Sequence, residues 1–71
     1  MEQTTWYDLP DDLKWIRETH LKGLELPPFT AFTLTGNEDC PSAVALYADS
    51  SYYSKPVAVY SQQRKGLQKL D

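Results

Sequence analysis

The chain has 71 residues, enough for one small domain, and its 41% hydrophobic and 13% aromatic content is too high for a disordered chain. The formal net charge is −3 at pH 7, and the single cysteine, Cys40, excludes a disulfide framework or a multi-cysteine metal site within one chain. The acidic, polar start lacks the pattern of a signal peptide, and no apolar run is long enough for a bilayer. The sequence therefore predicts a cytoplasmic protein without membrane contact.

The first predicted element is a helix over about residues 9–22. Asp8 is the expected N-cap, and Pro10 suits the first turn, where its missing N–H has no helical partner to lose. Gly23 is the expected stop. The helical spacing of four apolar side chains predicts that one face of the helix turns toward the core. These side chains are Leu9, Leu13, Ile16 and Leu24.

Three β-strands are predicted to follow, over about residues 29–35, 43–48 and 57–62. The predicted loops between them, 36–41 and 49–54, are short, which favours antiparallel hairpins over parallel crossovers. The predicted fold class is α+β. One N-terminal helix packs on a three-stranded antiparallel sheet, an α-β-β-β meander. Residues 1–71 form a single domain that ends in a basic C-terminal tail, 63–71.

Alternation along the strands predicts which face each side chain joins. The helix-facing set is Phe32, Leu34, Val44, Leu46, Val57 and Val59. The opposite set is Ala31, Thr33, Ala43, Ala45, Tyr47, Ala58 and Tyr60. Because solvent-facing strands usually carry charged side chains, this neutral face is a candidate contact surface. The contact is with a second copy, with the C-terminal tail or with a target, so the chain is predicted to be a monomer or a homodimer through the sheet face.

Neither candidate catalytic residue has the neighbours that its chemistry requires. His20 is the only histidine, and its position on the apolar helix face favours a structural role over that of a general base. Cys40 follows Glu38 and Asp39, whose negative charges oppose formation of a thiolate. No spacing of acids, histidine and cysteine matches a metal site, and no phosphate-binding glycine loop is present. The sequence predicts no enzyme activity, no metal and no cofactor.

Charge is distributed unevenly along the chain. Residues 1–49 carry nine acids against three bases, and residues 50–71 carry four bases against one acid. An acidic body repels nucleic acid and attracts basic surfaces, including those that normally hold nucleic acid. The predicted partner is therefore a host protein with a basic nucleic-acid-binding surface, with no direct binding of nucleic acid. The predicted contact residues are Asp8, Asp11, Asp12, Trp15 and Glu18 on the helix, Glu38, Asp39 and Asp49 on loops, and Tyr47 and Tyr60 on the sheet.

In general profile the chain resembles the small anti-CRISPR proteins that phages and mobile elements encode. The shared features are its length, its single compact domain, its lack of catalytic residues and its acidic body, which comprises Asp8, Asp11, Asp12, Glu18, Glu38, Asp39 and Asp49. The resemblance implies an inhibitor that binds a host defence complex and blocks DNA recognition, partly through acidic surface. The basic C-terminal segment departs from a uniformly acidic DNA mimic.

Two other functions remain open at this point. The chain would be a structural or adaptor subunit if its alanine and tyrosine sheet face carried the contact. It would be a small nucleic-acid-binding protein if the basic tail, with Arg64, Lys65 and Lys69, carried it. Three cations release few counterions on binding, which argues against strong nucleic-acid binding.

Overall fold

The computed structural model describes residues 3–50 and 55–70. It contains one helix and a five-stranded antiparallel sheet. The elements in chain order are β1 (Thr4–Tyr7), α1 (Pro10–Thr19), β2 (Ala31–Gly36), β3 (Pro41–Tyr47), β4 (Ala58–Gln63) and β5 (Gly66–Lys69). The strands lie side by side in chain order, from β1 at one edge to β5 at the other.

The predicted three-stranded sheet is therefore wrong, because two further strands flank it. β1 precedes the helix and pairs with β2, with Thr5 opposite Leu34 and Tyr7 opposite Phe32. β5 pairs with β4 through a hairpin that occupies most of the predicted basic tail. The helix is thus not the first element of the fold. Residues 51–54 of the predicted second loop, and the last residue of the predicted tail, lie outside the described residues.

The hairpin between β4 and β5 forms because Gly66 follows the turn at Arg64 and Lys65. Gly66 has a φ of 105°, which a side chain would disfavour, and it lies opposite Gln63 at the end of the ladder. A glycine directly after a two-residue turn is typical of hairpins that close with a bulge. The three central strands of the prediction exist, with bounds shifted by one to two residues.

α1 is shorter than predicted at both ends. It begins after Leu9, which is the N-cap residue but is 61% exposed and makes no side-chain capping bond, so the predicted cap at Asp8 and the predicted burial of Leu9 are wrong. It ends when the N–H groups of His20 and Leu21 both donate to the carbonyl of Ile16, at 3.1 and 3.0 Å. Leu21 turns into the core there and is buried. At ten residues, α1 is the one helix of the described chain and falls far short of a membrane-spanning length.

The core lies between α1 and one face of the sheet, here called the inner face. It contains Ile16 and Leu21 from the helical segment, together with residues from β2 to β5 and the segment before β2. These other members are Phe29, Phe32, Leu34, Val44, Leu46, Ala58, Tyr60 and Leu67. Four predicted core residues on β2 and β3 are confirmed, namely Phe32, Leu34, Val44 and Leu46.

On β4 the predicted faces are reversed. Val44 lies opposite Tyr60 and Leu46 opposite Ala58, so Tyr60 and Ala58 point inward. Tyr60 is 1% exposed, and Val57 is 42% exposed. The phenol fits the core because its hydroxyl donates a hydrogen bond to the carbonyl of Glu25 at 3.3 Å, which satisfies its polar end. The predicted place of Tyr60 on a contact surface is therefore wrong.

Candidate functional site

The predicted acidic side chains of the helix gather around its N-terminus. Asp8 and Asp11 are exposed, and Asp12 is half-buried. Asp11 and Asp12 occupy the first turn of α1, where the unpaired N–H groups and the helix dipole favour negative charge. Their negative charge is therefore compatible with a stable helix, and two of the three carboxylates lie open to solvent.

Tyr7 connects these acids to the loop between β2 and β3. Its ring stacks on Phe32 with centroids 4.8 Å apart and planes at 10°, and its hydroxyl donates a 2.9 Å hydrogen bond to Oε1 of Glu38. Burial raises the pKa of Tyr7, and the hydrogen bond to Glu38 and the negative charges of Glu38 and Asp12 raise that pKa further. Two acids that are distant in sequence, Asp12 and Glu38, therefore influence the same phenol.

His20 fixes the backbone of the same loop. Its Nε2 lies 2.8 Å from the carbonyl oxygen of Glu38, which can only accept, so Nε2 carries the proton and donates. The imidazole meets the indole of Trp15 edge-on, with centroids 5.5 Å apart and planes at 88°. These contacts give His20 a structural task in holding the loop against the end of α1.

Trp15 is half-buried and contributes to this support. Its ring centroid lies 6.1 Å from that of Tyr7 and 6.4 Å from that of Phe32, so the indole packs against the margin of the core. The predicted contact residue is thus partly occupied by intramolecular packing. Asp12 is three residues earlier on the helix, a spacing that makes the two side chains neighbours on the helix surface.

We name the acids around the start of α1 and in the loop between β2 and β3 the acidic flank, which comprises Asp8, Asp11, Asp12, Glu38 and Asp39. Asp39 is exposed and follows Glu38 in the loop. The remaining predicted acids lie elsewhere. Glu18 lines an open groove of about 510 Å³ at the C-terminal end of α1, together with Leu21 and Leu24. Asp49 follows β3, at the opposite end of that strand from Glu38 and Asp39.

The outer face of the sheet, which points away from α1, carries a second aromatic pair. Trp6 of β1 and Tyr47 of β3 have ring centroids 4.5 Å apart. Because β1 and β3 lie on either side of β2, these rings meet over β2, whose outward residues Ala31 and Thr33 are buried. Tyr47 therefore lies on the predicted face. Ala43 and Ala45 on the same face are half-buried.

The cations of the C-terminal third lie at the other edge of the sheet. Arg64 and Lys65 form the turn between β4 and β5, and Lys69 lies in β5, and all three are exposed. We call this element the basic hairpin. Since β1 and β5 are the two edges of a five-stranded sheet, roughly 19 Å separates them at the usual strand spacing. The charge asymmetry along the sequence thus becomes a division between elements, with the acidic flank at the start of α1 and in the β2–β3 loop and the cations on the β4–β5 hairpin.

Sequence reasoning missed Trp6 and Tyr7, two aromatic residues of β1. Trp6 packs on the outer face of the sheet and Tyr7 on the inner face. The run Thr4–Tyr7 consists of β-branched and aromatic residues, a signal that favours a strand even at this short length. Alternation then sends Trp6 outward and Tyr7 inward, as the ring contacts of each residue confirm.

Replacing Tyr7 by Phe tests how the phenol supports the flank. The change removes the hydrogen bond to Glu38 but keeps the ring on Phe32, so we expect the free energy of unfolding to fall by about 0.5–1 kcal/mol at pH 7. Because the folded-state pKa of Tyr7 is raised above 10.0, its contribution is complete below pH 10 and is lost as the pH rises through the folded value. Urea unfolding between pH 7 and pH 11 should therefore show a shallower alkaline decline for the variant. Parallel curves for the two proteins would contradict this coupling.

No group of three or more His, Cys, Asp or Glu side chains within residues 3–50 and 55–70 is placed to hold a metal ion. Cys40 is an exposed free thiol in the loop before β3. The arrangement that the described residues offer is a carboxylate-bearing surface on a well-packed support. The chain matches no protein-family model, and neither the curated proteins nor the solved structures include one with significant similarity to it.

Proposed function

We propose that the chain is a non-enzymatic, cytoplasmic inhibitor of phage or mobile-element origin. It docks through its acidic flank on the basic surface of a nucleic-acid-binding host defence complex of the CRISPR–Cas type and blocks DNA recognition. The observation that carries the proposal is the attachment of Glu38 to two separate elements, by the Tyr7 hydroxyl at 2.9 Å and by the His20 ring at 2.8 Å. A loop held in this way presents its carboxylates in a fixed arrangement, which lowers the entropic cost of binding.

The density of charge on the flank indicates how the contact works. α1 is about 15 Å long, and duplex DNA carries one charge per about 1.7 Å of its axis, so DNA of that length presents about nine charges. The flank has five carboxylates, which is fewer. Charge imitation therefore supplies only part of the affinity. The accessible part of Trp15 and the shape of the flank supply the rest of the contact.

Charge reversal at an exposed flank residue tests this proposal with a matched control. Asp11→Lys and Glu25→Lys each change the net charge by two, and both residues are exposed, but only Asp11 belongs to the flank. In gel-shift titrations of a purified Cas effector complex on its target DNA, the unmodified chain should weaken DNA binding. The Asp11→Lys variant should need about tenfold more protein for the same effect, whereas Glu25→Lys should match the unmodified chain.

The salt dependence gives a second readout of the same contact. Inhibition by the unmodified chain should weaken between 50 and 200 mM salt, at about the concentrations where surface charges become screened, and inhibition by the Asp11→Lys variant should depend less on salt. Equal inhibition by all three proteins would remove the electrostatic contact from the proposal. Failure of the unmodified chain to inhibit any Cas complex tested would remove the proposed target class.

A second candidate function is that of an adaptor subunit that associates through the outer face of the sheet. The observation that favours it is the composition of that face, where Ala43 and Ala45 lie beside Tyr47 without charged neighbours on β3. Ala45→Arg should then abolish association, including homodimer formation, while circular dichroism shows an unchanged fold. Sedimentation velocity that detects only monomer for the unmodified chain, at concentrations up to about 0.5 mM, would rule out the homodimer.

A further inference from the structure

We propose that the outer edge of β5 binds an extended acidic segment of a partner protein, which adds to the sheet as a further strand. β5 is the last strand of the sheet and has β4 as its one neighbour among the described strands. An edge strand presents backbone groups that can pair with another extended chain. This surface shares no residue with the acidic flank, so the inference does not depend on the function proposed above.

The hydrogen-bond pattern identifies which backbone groups face outward. The N–H of Leu70 donates to the carbonyl of Val59 at 2.8 Å, which extends the β4–β5 ladder by one pair beyond Lys69. In an antiparallel ladder, residues alternate between pairing with the neighbour and pointing away from it. Gly66, Gln68 and Leu70 therefore face β4. The N–H and C=O groups of Leu67 and Lys69 point away from the sheet, offering four hydrogen-bonding groups to an incoming strand.

The positive charge around this edge favours a partner strand with acidic side chains. Arg64, Lys65 and Lys69 are exposed, and the sequence contains no Asp or Glu between Asp49 and Asp71. Carboxylates on alternate residues of an added strand would meet these cations, whereas lysines there would be repelled.

The shape beside the edge also fits an extended peptide. An open groove of about 540 Å³ lies along the basic hairpin, lined by Gln63, Arg64, Lys65, Gln68 and Lys69. Its lining combines cations with two amide side chains, which can both donate and accept hydrogen bonds. A groove of this composition receives polar side chains of an added strand while the backbone pairs with Leu67 and Lys69.

Two other occupants fit the edge less well. A second copy that paired β5 with β5 would place the cations of both hairpins against each other, which is unfavourable. A second copy that paired its β1 with β5 would offer only the neutral side chains of Thr4–Tyr7, and the contact would repeat without closure. Nucleic acid would bind weakly here, because three cations neutralise few phosphates and release few counterions. An acidic strand from another protein would pair with the cations of the basic hairpin and with the outward N–H and C=O groups of Leu67 and Lys69.

The probe is an acetylated and amidated hexapeptide of alternating glutamate and valine, titrated into the ¹⁵N-labelled chain. We expect saturable shifts, with slowed hydrogen exchange, at the amides of Leu67 and Lys69. The matching lysine–valine peptide should bind at least about tenfold more weakly. Equal binding of the two peptides, or no response to the glutamate peptide at 5 mM, would overturn the proposal.

Two substitutions at Lys69 separate charge from backbone. Lys69→Gln removes the cation but keeps the outward N–H, so binding should weaken about threefold. Lys69→Pro removes both the cation and the outward N–H. It leaves the hydrogen bonds to β4 intact, because the N–H of Lys69 faces away from β4. Binding of the glutamate peptide should therefore weaken at least about tenfold. If the proline variant fails to fold, Arg64→Gln/Lys69→Gln provides the charge test. Shifts at Thr4 and Trp6, concentration-dependent dimerisation through β5, or oligonucleotide binding without protection of Leu67 and Lys69 would each contradict the proposed occupant.

Discussion

Replacing Phe32 by alanine is expected to leave most of the protein unfolded at 25 °C. Phe32 is fully buried at the centre of the core, where its ring stacks on Tyr7 and approaches Trp15. Removing a buried phenylalanine ring costs about 3–5 kcal/mol, since the lost burial and the cavity left behind add together. A domain of this size has about that much net stability in total. The substitution therefore removes most or all of the free energy of unfolding.

Urea titration followed by circular dichroism and tryptophan fluorescence measures this loss. The control is Val57→Ala, a truncation at a residue that is 42% exposed at the entry to β4, and it should change the free energy of unfolding by less than about 0.5 kcal/mol. If Phe32→Ala unfolded with the same midpoint as the unmodified chain, the core could not lie where this structure places it.

A lysine at position 60 should abolish folding, whereas a lysine at position 59 should be tolerated. Tyr60 is 1% exposed and points into the core opposite Val44. An ammonium group buried there would have no charged partner, and an unpaired buried charge is among the most destabilising changes in a protein. Val59 points to the outer face and is half-buried, so the flexible stem of a lysine can carry its charge to water.

Comparing Tyr60→Lys with Val59→Lys also decides between the two possible faces of β4. The variants differ by one position in the same strand, so strand propensity and net charge are matched. Hydrogen–deuterium exchange and thermal melts should show a folded Val59→Lys and an unfolded Tyr60→Lys. The opposite result would reinstate the face assignment that alternating valines indicate from sequence.

Sequence reasoning identified the helix and the three central strands because each carries a local signal. Pro10 and Gly23 bracket the helical segment, and alternation from Phe32 to Leu46 assigns β2 and β3 correctly. Val57, directly before β4, and Val59 within it have the alternating spacing of an inward-facing set. The true register depends on which residues of β3 lie opposite and on the carbonyl of Glu25 that receives the Tyr60 hydroxyl. Those contacts join distant parts of the chain, so they leave no trace in the local pattern.

The two edge strands escaped prediction because each has only four residues. The run Gly66–Lys69 contains a single buried residue, Leu67, and the three-residue spacing of Leu67 and Leu70 equally suits a short helix. The strand Thr4–Tyr7 is stabilised by the stacking of Tyr7 on Phe32. Because the helix lies between these two residues in the sequence, a local sequence pattern cannot indicate this contact.

The identities of the acidic residues could be predicted from charge counts, but their grouping could not. Charge counts treat Asp49, Glu38 and Asp39 alike as loop acids, and the seven residues of β3 separate Asp49 from the other two. Conversely, nothing local links Asp12 with Glu38, although both raise the pKa of the Tyr7 phenol. The number of carboxylates follows from composition. Their arrangement depends on a strand that propensity alone only weakly indicates.

The order of the strands also governs the sequence of events as the chain folds. Three neighbouring pairs, from β2 to β5, are joined by direct connections, whereas β1 reaches β2 only after the helical excursion from Asp8 to Ala31. Closing that larger ring costs more chain entropy, which places the docking of β1 late. Because Tyr7 is delivered by β1, the carboxylate side of the molecule is completed last. A partly folded chain would display its cationic turn before it could present the anionic side, so any contact made through that side would require complete folding.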